Sequence, residues 1–222
     1  MVAGRVFSQL VEDLLSGRYE PGEKLPTQRA LAAELDVNMA SVREAVKRLE
    51  QLGLVEVRHG DAMRVTDWRT SGGLDVIAHV LFAAGGLDRE MLAQLMEARR
   101  LMLAESARLA AERRDEDQAR RLTALATRIA EAPDAAAAQA LDFAFFAELV
   151  EAAGNVVLTL VMNSIRRIYF ARGELFEPIV EAPRGLYQRA ARAVARRQPD
   201  AAARAVAELA AAQERALMES LA

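Results

Sequence analysis

Apolar side chains recur every three to four residues through the first fifty positions, and this spacing predicts three short helices. The first predicted helix ends at Gly17, and the second begins near Thr27, a residue suited to cap a helix. The third is predicted over about Met39–Leu52 and ends at Gly53. The turn residues 36–38 separate the second helix from the third, which is the spacing of a helix-turn-helix.

The hydrophobic period changes to two directly after the third helix. Residues 55–58 and 63–66 both alternate apolar with polar side chains, and Gly60-Asp61 lies between them. This pattern predicts a small β-hairpin. Three helices followed by such a hairpin form the layout of a winged helix-turn-helix, in which one helix enters the DNA major groove.

All of the chain beyond residue 73 has helical periodicity. The predicted helices lie near 74–84, 88–113, 115–131, 134–153, 155–171, 178–197 and 199–221. The fold class is therefore mainly α: a winged helix-turn-helix followed by an all-α antiparallel helical bundle.

The segment WRTSGG at 68–73 is small and polar, which is typical of a linker. We therefore expect a DNA-binding domain over 1–67, a linker over 68–73 and an all-helical ligand-binding and dimer domain over 74–222.

Composition narrows the class of protein. The 222 residues carry a net charge of −3 and contain no cysteine, which excludes disulfides and thiolate metal sites and fits a reducing cytoplasm. The charged N-terminal residues do not form a secretory signal, and no apolar run approaches the roughly 18 residues of a membrane span. We expect a cytoplasmic protein with no membrane partner, whose DNA contacts depend on locally clustered basic residues.

The segments PGEKLPTQRALAAEL (21–35), VNMASVREAVKRLEQLGLVEV (37–57) and RHGDAMRV (58–65) resemble the GntR family of bacterial transcription regulators. In the helical part, EARRLMLAESARLAAER (97–113) and LDFAFFAELVEAAGN (141–155) resemble the ligand domain of the FadR subgroup. The resemblance implies a homodimer that binds a palindromic double-stranded DNA operator and responds to a small-molecule effector.

The resemblance also implies the DNA contacts. Arginine pairs with a guanine edge through two hydrogen bonds, a helix N-terminus favours phosphate, and a wing-tip glycine allows close backbone approach to DNA. The candidate DNA-binding residues are Arg29, Asn38, Ala40, Ser41, Arg43, His59 and Gly60.

The resemblance to the FadR subgroup also implies a metal site, because many of these proteins hold a divalent metal through an aspartate and three histidines. Asp142 matches the aspartate, whereas Phe146, Gln188 and Ala211 stand at the histidine positions. The chain has only two histidines, neither near these segments, so we expect no metal and no cofactor.

Phe146 in place of a histidine makes the middle of the bundle more apolar, which favours a partly apolar effector such as an acyl-CoA or another partly apolar acid. The alternative is that these aromatic residues are ordinary core. Arg99 is the best candidate to hold an anion. The candidate effector-binding residues are Arg99, Asp142, Phe146, Asn155, Tyr169, Tyr187 and Gln188.

No catalytic motif accompanies this pattern: the chain has no Ser-His-Asp set, P-loop or HExxH, so we expect no catalytic residues and no enzyme activity. The sequence thus predicts a homodimeric transcription regulator whose DNA affinity an effector modulates. Two alternatives stay open: a ligand-free architectural DNA binder, and an enzyme with a DNA-targeting head.

Overall fold

The computed structural model of the protein describes residues 2–57, 63–83 and 86–222. It divides into two compact units, Met1–Leu92 and Ala93–Ala222. Both units are built mainly from helices, as the periodicity predicts.

Within residues 2–57, 63–83 and 86–92, the first unit contains five α-helices, a short 3-10 turn (Leu74–Val76) and a two-stranded antiparallel sheet. These elements are α1 (Val2–Leu15), α2 (Gln28–Glu34), α3 (Met39–Gln51), β1 (Val55–Glu56), β2 (Arg64–Val65), α4 (Trp68–Ser71) and α5 (Ile77–Leu81). In the sheet, Val55 pairs with Val65, and the extended segment before α2 bonds to the other side of β2 through Leu25 and Met63. This arrangement confirms the predicted winged helix-turn-helix.

One core holds the first unit together. α1 and α3 supply its centre because each presents an apolar stripe of helical period; on α3, Val42, Ala45 and Leu49 are completely buried. Each fully buried aliphatic side chain contributes about 1.5–3 kcal/mol relative to exposure.

The boundary between the units lies later than the sequence predicts. The segment 68–73, expected to be a linker, includes the short helix α4, and Trp68 packs against the core of the first unit. The following segment also buries Val76 and Val80 in that core. Since these side chains gain burial there, the first unit extends to Leu92 instead of ending at residue 67.

The second unit is entirely helical in the residues that the structure describes. Its elements are α6 (Arg89–Arg113), which begins in the first unit, α7 (Glu116–Ala130), α8 (Ala135–Ala152), α9 (Val156–Ala171), α10 (Gly173–Phe176), α11 (Gly185–Ala195) and α12 (Pro199–Ser220). α11 packs against α7 and α12, and α7 packs against α8. Asp115 and Asp134 cap α7 and α8 through their side-chain oxygens.

One predicted helix of the second unit is divided. Residues 178–197 form a 3-10 turn at Glu177–Glu181 and then α11, which begins at Gly185. Pro183 explains the break, because a proline disfavours helical backbone in the residue before it. Ala182 is accordingly extended, with ψ of 144°.

In the part of the chain that the structure describes, no helix has the length and apolar character needed to cross a membrane.

Gly53 lies in a left-handed turn that a larger residue should destabilise. Gly53 has φ of +70°, and a β-carbon there would collide with the Ser71 carbonyl group, 2.7 Å from its carbon. Gly53→Ala should lower the free energy of unfolding by more than about 1 kcal/mol. Gly17→Ala is the matched control, since Gly17 has φ of +79° but open space around it. Urea unfolding of both variants checks this; equal losses would show that the contact with Ser71 is unimportant.

His79 should make the free energy of unfolding depend on pH. Its ring packs edge-on against Phe7, with centroids 5.4 Å apart, and burial, with a smaller contribution from Arg48, lowers the pKa of His79 against an opposing effect of Asp75. The unfolded chain therefore binds the proton more readily. The stability that neutral His79 contributes is present above its unfolded pKa of about 6.5 and is lost as the pH falls towards the lower folded value.

Replacing this histidine with phenylalanine should make the free energy of unfolding less dependent on pH between about pH 7.5 and 5.5. Urea titrations of wild type and His79→Phe at several pH values measure the two slopes. Identical slopes would exclude His79 as a source of acid sensitivity.

Candidate functional sites

One face of α3 is available to a partner. The helix turns its apolar stripe inward, and the opposite side exposes Ala40, Arg43, Glu44 and Lys47 at consecutive turns. Asn38 begins the helix, and its side-chain oxygen accepts a hydrogen bond from the Ser41 amide at 2.9 Å. The remaining exposed surface at this end combines free helix N–H groups with basic side chains, which suits phosphate and base edges.

The other candidate DNA residues are distributed between two places. Arg29 is exposed in the first turn of α2, whose N-cap Thr27 accepts from Ala30 at 3.1 Å. His59 and Gly60, with Arg58, lie outside the described residues. The structure thus brings Asn38, Ala40, Ser41 and Arg43 together on one helix end.

Two basic residues near this surface have intramolecular roles that the sequence does not reveal. The Arg48 guanidinium lies 3.8 Å over the centre of the Phe7 ring, a cation–π contact that fixes α3 on α1. Arg64 donates to the Gly22 carbonyl at 3.1 Å. These contacts leave Arg43 and Lys47 as the exposed basic residues of α3 directed away from the core.

A buried polar cluster joins five helices of the second unit. Its centre is Asp142 on α8, which accepts hydrogen bonds from Tyr169 of α9 at 2.9 Å and from Tyr187 of α11 at 2.6 Å. Gln213 of α12 donates to the same carboxylate at 2.6 Å and to the Tyr187 hydroxyl at 2.8 Å. Arg99 of α6 forms an ion pair with Asp142 at 3.9 Å.

Burial sets the electrostatics of this cluster. Asp142 is only 1% exposed and the Arg99 side chain 11%. Burial, followed by the negative charge of Asp142, raises the pKa of Tyr169 and of Tyr187 far above the ordinary range, so both remain neutral donors. A buried carboxylate is tolerated when an opposite charge and several donors compensate it, and here both are present.

Aromatic rings surround the cluster. The Arg99 guanidinium lies 4.7 Å over the ring of Phe146, which is 1% exposed. Phe145 contacts the Tyr187 ring at 5.4 Å between centroids, and Phe143 contacts Tyr169 at 5.6 Å. The aromatic residues that the sequence places on α8 therefore pack against the polar cluster and one another.

Two of the candidate effector residues lie elsewhere. The Asn155 side chain caps α9 by accepting from the Val157 amide at 3.0 Å. Gln188 is exposed, because its neighbour Tyr187 occupies the inward position of α11.

The inward amide is Gln213, which is not among the residues predicted from the sequence. Its signal was the apolar stripe of α12: Leu209, Gln213 and Leu217 follow one another at helical spacing and are all completely buried. Ala211, matched to a histidine position by resemblance, is only partly buried.

The cluster does not fit a divalent cation. Asp142 is its only carboxylate, three donors already occupy its oxygens, and the Arg99 guanidinium would repel a metal ion. Within residues 2–57, 63–83 and 86–222, no group of three His, Cys, Asp or Glu side chains is placed to hold a metal.

Comparison with known proteins also finds two parts in the chain. The family described as bacterial regulatory proteins, gntR family, matches residues 2–65, and the FCD domain matches residues 94–212. The second match begins close to the observed division after Leu92.

Several relatives are transcription regulators by name. The HTH-type transcriptional regulator Mce2R of Mycobacterium tuberculosis is 39% identical over 168 residues, which cover 76% of this chain and 70% of that protein. The fatty acid metabolism regulator protein of Edwardsiella ictaluri is 30% identical over 205 residues, which cover 89% and 83% respectively.

Solved structures agree on the fold. Streptococcus agalactiae GntR matches with a TM-score of 0.52 and 24% identity, covering 96% of this chain and 99% of its own. Lar, described as controlling the agr system of Listeria monocytogenes, matches with a TM-score of 0.61 and 17% identity, covering 99% and 97%. The chain therefore belongs to the GntR family of bacterial transcription regulators, in the FadR subgroup, with a winged helix-turn-helix DNA-binding domain and an FCD effector domain.

Proposed function

We propose that this regulator binds a palindromic DNA operator as a homodimer, and that a small-molecule effector held in the FCD unit changes its affinity for that operator. The observation that carries the DNA part is the exposed N-terminal end of α3, capped by Asn38 and followed by the exposed Arg43. We place the protein in the cytoplasm with its DNA, and assign it neither a metal nor an enzymatic activity.

The proposed DNA contacts divide into two kinds. Arg43 reads a base edge in the major groove, supported by Asn38, Ala40 and Ser41 at the helix N-terminus. Arg29 and the wing-tip residues His59 and Gly60 complete the contact from α2 and from the hairpin. Lys47, one turn further along α3, is placed for the phosphate backbone.

An apolar patch on α9 supports a homodimer. Val156, Val157 and Leu160 are 70%, 61% and 59% exposed, although large aliphatic side chains gain free energy from burial. They are neighbours on one helix and form a contiguous apolar surface. A second copy of the chain buries this patch in the proposed dimer, and two-fold pairing matches a palindromic operator.

The proposed effector site is the buried cluster around Asp142. Arg99, Phe146, Tyr169 and Tyr187 of the sequence-based set lie there, and Gln213 joins them. An effector shifts the DNA-binding equilibrium by its differential affinity for two states of the dimer, typically by about 1–3 kcal/mol. Asn155 and Gln188 have no place in this site.

Selection of bound DNA from a random pool, with and without candidate effectors, tests the proposed function as a whole. Enrichment of a palindrome whose yield changes with an effector supports it. A palindrome whose yield is the same with every candidate effector would favour the ligand-free architectural DNA binder.

Arg43→Ala should lower operator affinity by about 1–3 kcal/mol and relax the base preference at one position of each half-site, since one bidentate contact is lost. Lys47→Ala is the matched control from the same face: it should weaken all sequences alike and reduce the salt slope by about one. Titration of the selected operator and its single-base variants at several salt concentrations measures both. A uniform loss for Arg43→Ala would reassign that residue to phosphate.

Leu160→Glu should convert the dimer into monomers and weaken binding to the palindrome more than to a single half-site, because a carboxylate cannot be buried in an apolar interface. Leu74→Glu introduces the same change at a 43% exposed leucine of the first unit and should leave the dimer intact. Light scattering after size exclusion measures the mass of each variant. A dimeric Leu160→Glu protein would place the interface elsewhere.

A further inference from the structure

Two polar atoms of side chains that contact the Asp142 carboxylate are buried and have no hydrogen-bond partner among the described residues: Nη1 of Arg99 and Oε1 of Gln213. Gln213 is completely buried, and the Arg99 side chain is 11% exposed. Buried polar groups in native proteins are nearly always paired with protein, water or a ligand. One of these atoms is a donor and the other an acceptor. A group that both accepts and donates a hydrogen bond has the chemistry to pair with the two atoms.

The remaining atoms of the cluster fix the direction of the Gln213 amide. Its Nε2 donates to Oδ1 of Asp142 at 2.6 Å and to the Tyr187 hydroxyl at 2.8 Å, so both of its N–H groups are engaged. Exchanging the amide oxygen and nitrogen would set the oxygen against a carboxylate oxygen, which cannot donate to it. Oε1 of Gln213 is therefore an acceptor directed away from Asp142.

The charge of the cluster restricts what can enter it. Arg99 carries one positive charge and Asp142 one negative charge, so the buried pair is neutral. An entering carboxylate would leave an uncompensated negative charge beside Asp142, and an entering cation would lie beside Arg99. A neutral group disturbs neither balance.

We propose that this cluster takes the neutral polar end of the effector, a hydroxyl or a primary amide that accepts from Nη1 of Arg99 and donates to Oε1 of Gln213. The inference rests on the proposed function of the FCD unit. The sequence suggests Arg99 as the residue that holds an anionic effector. Here Arg99 instead donates to a neutral group, because Asp142 already supplies the counter-charge of its guanidinium. A carboxylate can accept from Arg99 but cannot donate to Gln213, whereas its protonated form does both.

A matched series of probes tests this on the full-length wild-type protein. Each set contains an alcohol, a primary amide and a carboxylate on the same saturated chain of two, four or six carbons. Titration calorimetry and thermal melting measure binding, since a ligand of the folded state raises the melting temperature by mass action. The alcohols and amides should bind with constant affinity from about pH 6 to 8.

The carboxylates should show a pH dependence that the alcohols and amides lack. Only their protonated form fits, and with a pKa of about 4–5 its fraction falls tenfold for each pH unit in this range, so the apparent affinity should fall about tenfold per unit. A carboxylate that binds most tightly, with constant affinity across the range, overturns the inference and restores Arg99 as an anion anchor. Failure of every probe to bind also overturns it and leaves the two atoms to internal water.

Gln213→Met and Gln188→Met form a matched pair of variants. The first removes the buried acceptor and should lower alcohol and amide affinity at least tenfold; the second, at an exposed position, should leave it unchanged. Equal affinities in the two variants contradict the assignment of Gln213. If Gln213→Met does not fold, the wild-type series decides alone, because its probes differ only in their polar end.

Operator binding, measured in parallel, separates this inference from the function on which it rests. Alcohols or amides that bind without changing operator affinity support the neutral-group site and contradict the effector role. A carboxylate that changes operator affinity and binds with constant affinity across the pH range supports the effector role and contradicts the neutral-group site.

Discussion

A single buried carboxylate, that of Asp142, organises the interior of the second unit. Its partners come from four other helices, so α6, α8, α9, α11 and α12 each contribute one side chain to the same few ångströms of space. Removing one partner of a buried charge typically costs about 3–5 kcal/mol, because the remaining charge is left uncompensated. The need to compensate the Asp142 charge therefore fixes the relative positions of these helices, in addition to their apolar packing.

The resemblance implies that related proteins hold a metal beside the aspartate that corresponds to Asp142. A metal ion would draw several helices together through coordinate bonds, whereas here hydrogen bonds and one ion pair converge on Asp142. Phe146 contributes by stacking on the Arg99 guanidinium, which keeps that cation in an aromatic environment close to the carboxylate. The oxygens of Asp142 are thus engaged by side chains of the protein itself.

Local periodicity was sufficient to predict the helices, the hairpin and the buried stripe of α3, since each follows from spacing within a short window. The break at Pro183 was also visible in the sequence, but a continuous apolar pattern on both sides concealed it. The extension of the first unit to Leu92 was not predictable in this way. It depends on the burial of Val76 and Val80 in the core of the first unit, which also contains residues far from them in the sequence.

The candidate sites show the same limit. Arg43 and Asn38 could be placed because the whole helix-turn-helix pattern fixes their position on α3. In the second unit, resemblance selected Gln188, while the structure turns Gln213 inward. The choice between them depends on which face of α11 and of α12 meets the bundle, and neighbouring helices decide that.

The close approach at Gly53 limits how α4 can move relative to α3. The α4 backbone lies directly against Gly53, which follows α3, with no side chain between Gly53 and Ser71. Gly72, directly after α4, is also crowded: a β-carbon there would lie 2.6 Å from the Trp68 carbonyl oxygen. Ser71 therefore cannot move closer to Gly53 unless the end of α3 moves with it, so the segment predicted as a linker is packed directly against the helix that carries the candidate DNA contacts.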